Sequence, residues 1–431
     1  EISCSLVGSE MCIRDRHRPY FKKRELLEVP HIIPIGSNED AIPLRIMTYN
    51  LLAQTLIRRS MFPDNGRILK WTVRSNPLYQ EVKYYDCDII CMQEMDYINY
   101  QKFWTVKMSE LGYQGHFNRN ENKSHGVAIF FRKSMFEMID HTHIQYDNTE
   151  TAGIEPRTTT QNVGIVIALA LKGHKDSAVL IGTTHLFWHP FGTYERTRQT
   201  AILLMKAKEF EKRVKVLHPD INKVWSFFAG DFNSQPFDSP YLSITSKPVH
   251  YDDRCKTVIG CSTSFEFSNK RDGGEGEEEE GGNIELYGEN QPKTPVPDHF
   301  EPTKEQQEMV DEMEKLHNSL PYRAISLYSV AYGLVDPKNS GIDNTRNEPF
   351  FSNWAHTWRG LLDYIFVIRD WNCKEDNRAV DSLEKFEDEN HIRLNRLLKM
   401  PHPDEMDKGL PREYLYPSDH LCMVAQLSLL L

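Results

Sequence analysis

At 431 residues and 50.3 kDa, the chain can bury one large core or two ordinary ones. Its 39% hydrophobic and 11% aromatic content fits a folded globular protein, and its longest apolar run, Val163 to Leu171, is too short to span a membrane. The net charge of −11 speaks against a nucleic-acid partner only at first sight. Asp272 to Glu289 holds eight acidic residues and no basic one, so the remainder carries −3.

Eight scattered cysteines form no zinc-ribbon or disulfide framework, which points to a reducing intracellular compartment. Residues 1–16 start without Met and fit no structural period. They resemble translated library-adapter sequence and are expected to be non-native, standing where the natural N-terminus and any targeting signal belong. His17 to Pro43 is basic, then proline-punctuated, and reads as an approach segment.

Leu44 to Leu52 is the first expected strand, with polar Asn50 near its end. A helical stretch carrying Trp71 and Arg74 one turn apart follows. Cys87 to Glu94 is the next buried strand, closing on Glu94, and Gly126 to Arg132, Asn162 to Lys172 and Ala178 to His185 are further strands. Thr193 to Leu217 reads as a long helix, because Leu203, Ala207, Phe210, Val214 and Leu217 recur at steps of four and three. The apolar run from Val224 breaks at Gly230 and releases Asp231 and Asn233. Residues 268–301, Gly- and Glu-rich and then Pro-rich, are expected to form a disordered surface insertion. Thr303 and Gln306 form a capping-box pattern opening a helix to about His317. Gly360 to Ile368 and His420 to Leu427 are the last expected strands.

Asn50, Glu94, His185 and Asp231 with Asn233 thus sit at strand ends, while Asp363 and His420 sit at strand starts. If the last strands run antiparallel to the others, all of these gather on one rim. Residues two apart in a strand share a face, so Asp231 and Asn233 emerge side by side. A carboxylate there binds a hard cation or positions and deprotonates a water, and a carboxamide donates to an anionic oxygen without adding charge. The pair suits hydrolysis of a phosphate ester. Glu94 is the best candidate ligand for Mg²⁺, and Asn50 either orients it or touches the metal. Asp419 beside His420 fixes a tautomer and supports an imidazolium, so His420 acts as base or stabilises transition-state charge. His185 offers a second contact to the phosphate or leaving group. Asp363 holds a second metal or buttresses His420.

In order, Met47-Thr-Tyr-Asn-Leu51, Met92-Gln-Glu94, Thr184-His-Leu186, Gly230-Asp-Phe-Asn233, Leu362-Asp-Tyr364 and Ser418-Asp-His420 resemble the motifs of the endonuclease/exonuclease/phosphatase superfamily. The resemblance runs from about Leu44 to Leu431. It implies one catalytic domain over 44–431 with a DNase I-like α/β fold: a four-layer sandwich of two mixed β-sheets packed face to face and flanked by helices. It also implies hydrolysis dependent on Mg²⁺, as one or two ions, with Mn²⁺ able to substitute. Tyr49-Asn-Leu-Leu-Ala-Gln54, Trp188-His-Pro190, Gln199 and Asn233-Ser-Gln-Pro236 resemble the CCR-type deadenylase and nocturnin branch. The run from Thr184 to Gln199 is similar to fungal NGL-type RNA exonucleases, which are associated with trimming the 3′ end of 5.8S rRNA.

In that branch, Pro190 and the aromatic at Trp358 would form a base-stacking slot. The branch usually has Phe at the latter position, so stacking is expected and adenine preference is not. Lys123 falls in the branch's phosphate-contacting segment, although His125-Gly126 replaces its usual Asp-Gly. Arg196 either reaches an RNA phosphate or is a solvated helix charge. No leucine-rich repeat of the kind that docks those deadenylases into a larger complex is recognisable, so a stand-alone trimming enzyme is expected. The expectation is a monomeric, Mg²⁺-dependent 3′–5′ exoribonuclease with no membrane partner. It would act on the single-stranded 3′ end of pre-rRNA and release 5′-nucleotides, in the cytoplasm or nucleus, with a mitochondrial location left open. The alternatives are a poly(A) deadenylase, a nocturnin-like nucleotide 2′-phosphatase, and an inactive RNA-binding adaptor.

Overall fold

Alternating side chains sort the first strands into two faces. Leu44, Ile46, Ile89, Cys91, Ile129 and Phe131 join the large core, whereas Met47, Tyr49, Ile90, Met92, Ala128 and Phe130 join a second one. The computed structural model describes residues 20–31, 41–267, 292–406 and 408–431. The adapter-like residues and most of the expected acidic insertion fall outside them. Residues 292–301 are described, carry no helix or strand, and bring Phe300 back against a cluster of Phe191, Cys261 and Phe265.

Seven strands make the first sheet: β1 (Leu26–Glu28), β2 (Ala41–Asn50), β3 (Ile89–Asp96), β4 (Tyr113–Asn118), β5 (His125–Arg132), β14 (Ile392–Leu398) and β15 (Met423–Leu430). Their order is β1-β14-β15-β2-β3-β5-β4. Six strands make the second: β6 (Phe136–Gln145), β7 (Val163–Leu171), β8 (Ser177–His185), β9 (Lys223–Asp231), β10 (Tyr322–Ser326) and β13 (Asp363–Asp370), in the order β10-β13-β9-β8-β7-β6. A hairpin of β11 (Asn353–Ala355) and β12 (Trp358–Gly360) stands apart. The large core fills the space between the sheets. The outer face of the first sheet is covered by the helix Trp71–Tyr85 through Leu78, Val82 and Tyr85. The helix Thr193–Leu217 packs Leu203, Ala207, Phe210 and Val214 into the large core. This is the expected four-layer sandwich. Each fully buried Leu, Val or Phe among these contributes about 1.5–3 kcal/mol.

The long helix keeps its expected bounds, but Leu217 at its last turn is 60% exposed and belongs to no core. The capping box is present: Thr303 Oγ1 accepts from the Gln306 N–H at 3.3 Å, and Gln306 Oε1 accepts from the Thr303 N–H at 2.9 Å, opening the helix Lys304–Ser319. Direction is what matters for the site. β2 and β3 are parallel, as are β8 and β9, while β15 is antiparallel to β2 and β13 is antiparallel to β9. The ends of the early strands therefore meet the starts of the late ones along one rim.

Candidate active site

Three neighbouring strands of the second sheet set one row of side chains. His185 on β8 is in register with Asp231 on β9, and Asp231 with Asp363 on β13. Residues directly opposite in adjacent strands share a face, so all three project together. Gly230 lets β9 come this close: a Cβ there would lie 2.3 Å from the Thr184 carbonyl oxygen.

The first sheet meets this row with two residues. Asn50 ends β2, and Glu94 lies in an irregularity of the β3–β5 pairing between Met92 and Met95. Glu94 has φ of +50°, uncommon for a residue with a side chain, and the bulge turns its carboxylate into the rim. Asn50 Nδ2 donates to Glu94 Oε1 at 2.7 Å and to Asp231 Oδ2 at 2.9 Å, while its Oδ1 accepts from the Leu52 N–H at 3.0 Å. One buried amide thus bridges carboxylates from two sheets. Glu94 Oε2 is fixed by the Ala53 N–H at 2.9 Å. Beside it, Gln93 Nε2 ties the sheets together by donating to Thr48 Oγ1 at 3.1 Å and Thr183 Oγ1 at 3.0 Å.

His420 completes the cluster from the segment before β15, not from the strand itself, which begins only at Met423. Its Nδ1 lies 2.7 Å from Asp363 Oδ2, which also accepts from Ser352 Oγ at 2.6 Å. Its Nε2 is 3.6 Å from Asp231 Oδ2, the same distance as His185 Nε2. The two histidines nevertheless differ in charge. Burial opposes the proton on His420, but the carboxylates of Asp363 and Asp231 outweigh it and hold His420 well above the ordinary imidazole range. Burial, followed by His125 and Lys123, pushes His185 well below that range. Two imidazoles whose surroundings push them in opposite directions therefore flank one carboxylate, the kind of split that separates acid from base. Burial raises Asp231, with His420 pulling the other way, and burial and Asp419 raise Glu94. Asp419 does not contact the His420 ring. Its backbone oxygen accepts from the Trp354 N–H at 3.0 Å, and its buried carboxylate acts on Glu94 and His420 through space.

These groups fit a divalent cation. Ligand atoms of Glu94, His185 and Asp231 lie within 4.8 Å of one another, and so do those of Asp231, Asp363 and His420. Asp363 Oδ1 is buried without a hydrogen-bond partner, an oxygen left for a cation or a donor from outside the protein. The buried carboxylates of these two groups, which share Asp231, suit a hard ion.

Other expected site residues stand differently. Asn233, at φ +46°, follows Asp231, takes its Oδ1 by its own N–H at 2.9 Å, and donates Nδ2 to the Leu186 carbonyl at 2.9 Å. Arg196 fits neither expectation, because it is buried and not solvated. It donates to the carbonyls of Phe187 at 3.0 Å and His189 at 2.6 Å and to Thr193 Oγ1 at 3.0 Å, so it braces the loop after β8. Lys123 is also buried and donates to the Thr160 carbonyl at 3.0 Å, which corrects its expected phosphate-facing position. Pro190 is exposed on the loop that Arg196 braces. Trp358 on β12 is 46% exposed, and its indole lies over Gly360, where a Cβ would fall 2.8 Å from the ring. The same hairpin bridges to His420 through Asn353.

Two contributors escape a reading of sequence. Ser352 carries no motif, and only the fold brings its hydroxyl to Asp363. Arg74, one turn from Trp71, donates to the carbonyls of Leu51 at 2.7 Å, Leu52 at 2.6 Å and Pro417 at 3.3 Å, pinning the loop after Asn50 to the Ser418 segment.

The family described as Endonuclease/Exonuclease/phosphatase matches residues 47–420. The RNA exonuclease NGL2 of Saccharomyces cerevisiae is 52% identical over 426 residues, spanning 95% of this chain and 82% of that protein. The probable RNA exonuclease C9B6.11c of Schizosaccharomyces pombe is 36% identical over 425 residues, 95% of this chain and 80% of that one. Among solved structures, that of ANGEL2, described as a 2′,3′-cyclic phosphatase, aligns with a TM-score of 0.58 at 18% identity, covering 95% of this chain and 99% of that one. The human Nocturnin catalytic domain gives 0.53 at 20% identity, with the same coverage. At such identities the likeness speaks for the fold alone. Motif order, sheet order and sequence match agree, and the chain belongs to the endonuclease/exonuclease/phosphatase family.

Proposed function

We propose that this chain is a Mg²⁺-dependent exoribonuclease that shortens single-stranded RNA from its 3′ end and releases 5′-nucleotides. The observation that carries the substrate class is the 52% identity, over 95% of the chain, to a protein named RNA exonuclease. Glu94 with Asp231, and Asp231 with Asp363, would hold one or two cations, which when bound neutralise charge on the phosphoryl oxygens. Asp231, lifted by burial, orients and accepts a proton from the attacking water. His420 places its proton on Nε2 against the developing phosphoryl charge, while Asp363 and Ser352 hold the ring through Nδ1. Neutral His185 accepts a hydrogen bond on the other side of Asp231. Asn233 holds the loop at Leu186. Trp358 and Pro190 are the exposed surfaces on which the terminal bases would stack.

By the same proposal the enzyme works as a monomer on the 3′ end of precursor 5.8S rRNA, in the nucleus or cytoplasm. Among the described residues no helix is long and apolar enough to cross a membrane.

The test compares 5′-labelled RNA with a free 3′ end, the same RNA with a blocked 3′ end, poly(A), and a 2′-phosphorylated dinucleotide, each with Mg²⁺ and with Glu94→Ala as control. Stepwise shortening only of RNA with a free 3′ end, lost in Glu94→Ala, is expected. Phosphate release from the dinucleotide with RNA left intact would overturn the reading in favour of a nucleotide phosphatase. RNA binding without any cleavage would overturn it in favour of an adaptor.

A further inference from the structure

Three histidines converge outside the catalytic cluster. His141 and His143 sit two apart on β6, and His116 sits on β4. These are the edge strands of the two different sheets. His141 is in register with Ile167, His143 with Ile165 and His116 with Ile129, and all three isoleucines belong to the core between the sheets. The imidazoles therefore continue the inter-sheet layer outward to the place where it opens to water.

The rings are close enough to share a ligand. His116 Nε2 and His143 Nε2 are 3.0 Å apart, and one nitrogen from each of the three rings lies within 4.8 Å of the others. Ring centroids are 4.4 Å apart for His116 and His141, 5.2 Å for His116 and His143, and 5.4 Å for His141 and His143. Two imidazole nitrogens on a tetrahedral ion with Zn–N of about 2.0–2.1 Å stand about 3.3 Å apart, so a small turn of exposed rings suffices. Nearby Asp140 is engaged by Arg213 at 3.0 Å, which leaves nitrogen as the ligand type on offer. An all-imidazole set without oxygen donors selects Zn²⁺, Cu²⁺ or Ni²⁺ over Mg²⁺ or Ca²⁺.

We propose that His116, His141 and His143 form a transition-metal site, with Zn²⁺ as its first candidate, that clips the open edges of the two sheets together. Three protein ligands leave one position for water. Neither β4 nor β6 carries a residue of the catalytic cluster, so the clip acts on stability and leaves the chemistry at Asp231 alone. An ion bound at 100 times its Kd stabilises the folded chain enough to raise the unfolding temperature of a domain of this size by about 3 °C.

The test uses the full chain without a histidine tag, stripped with chelator and held in saturating Mg²⁺. Zn²⁺ is titrated by calorimetry, and Co²⁺ is added in parallel to read the d–d bands of a tetrahedral site. Wild type, Glu94→Ala, His143→Ala and His141→Gln are compared, with circular dichroism to show that each is folded. Wild type and Glu94→Ala should each bind one equivalent that both histidine variants lose, together with the rise in unfolding temperature. RNA hydrolysis in Mg²⁺ should be the same for wild type and His143→Ala. An equivalent that persists in the histidine variants, or that disappears only in Glu94→Ala, would overturn the proposal, as would no Zn²⁺ binding in wild type.

Discussion

Asp363→Asn removes the charge beneath His420 together with the Oδ1 oxygen proposed for the cation. Asp363 Oδ2 takes Ser352 Oγ at 2.6 Å and His420 Nδ1 at 2.7 Å, and Oδ1 has no hydrogen-bond partner. Asparagine has the same shape, so its carbonyl oxygen can inherit both bonds while its nitrogen falls where Oδ1 was. A buried donor left unpaired there costs about 1–3 kcal/mol of stability. The bond to the imidazolium weakens from the charged to the neutral range, a loss of roughly 1–2 kcal/mol. More important, one of the two carboxylates that outweigh burial of the proton is gone. A positioned acid or base is worth about 10²–10⁴ in rate, so kcat should fall by at least about 10² while KM stays near that of wild type. The assay is initial rates on 5′-labelled oligoribonucleotide at saturating Mg²⁺, with unfolding curves to show that the variant is folded. A folded variant with kcat within about threefold of wild type would refute the reasoning, because His420 would not then depend on Asp363 for its role.

Other consequences follow from single residues. Trp358→Ala should raise KM for RNA about 5–150-fold, since stacking is worth about 1–3 kcal/mol per base, and an unchanged KM would remove the ring from the binding surface. Arg196→Ala should destabilise the loop after β8, seen as faster proteolysis there, and leave the slope of log K against log salt for RNA binding unchanged. A slope smaller by about 0.7 would mean that Arg196 contacts a phosphate after all. Glu348 tests linkage far from the rim: burial pushes it up to about 7, although Tyr241 donates to it at 2.8 Å. The unfolded chain ionises this carboxyl first, so stability is lost as pH rises between about 4.5 and 7. At 1.36 kcal/mol per unit, Glu348→Gln should flatten the fall in unfolding free energy between about pH 5 and pH 8 by roughly 2–3 kcal/mol, read by urea titration. Identical pH dependence in variant and wild type would contradict the assignment.

The strands that build the site were legible because they are buried on both faces and read as apolar runs ending in a single polar group, as at Asn50 and Asp231. Edge strands were not. Phe136–Gln145 mixes Glu137, Asp140, His141 and His143 with its apolar residues, since one side faces water, and no run stands out. Ile392–Leu398 is not an edge strand, since it lies between β1 and β15, but an irregularity between Leu394 and Arg396 breaks its alternation. Glu94 was visible as an acid at a strand end, whereas the bulge that aims it depends on pairing with β5. Arg196 lies in a helix rich in Lys and Arg, and nothing in its neighbours along the chain tells that the loop folds over it. The charge difference between His185 and His420 was equally hidden, because it depends on Lys123, His125 and Asp363 arriving from separate strands and loops.

The most direct test of the central claim is single-turnover cleavage of a 5′-labelled single-stranded RNA by wild type and Asp231→Asn at saturating Mg²⁺, with RNA affinity measured in parallel. The account predicts that wild type shortens the RNA one nucleotide at a time, while Asp231→Asn binds as tightly and cleaves at least about 10² more slowly. Equal cleavage rates in the two proteins would contradict it, because the carboxylate at the centre of the rim would then have no part in the reaction.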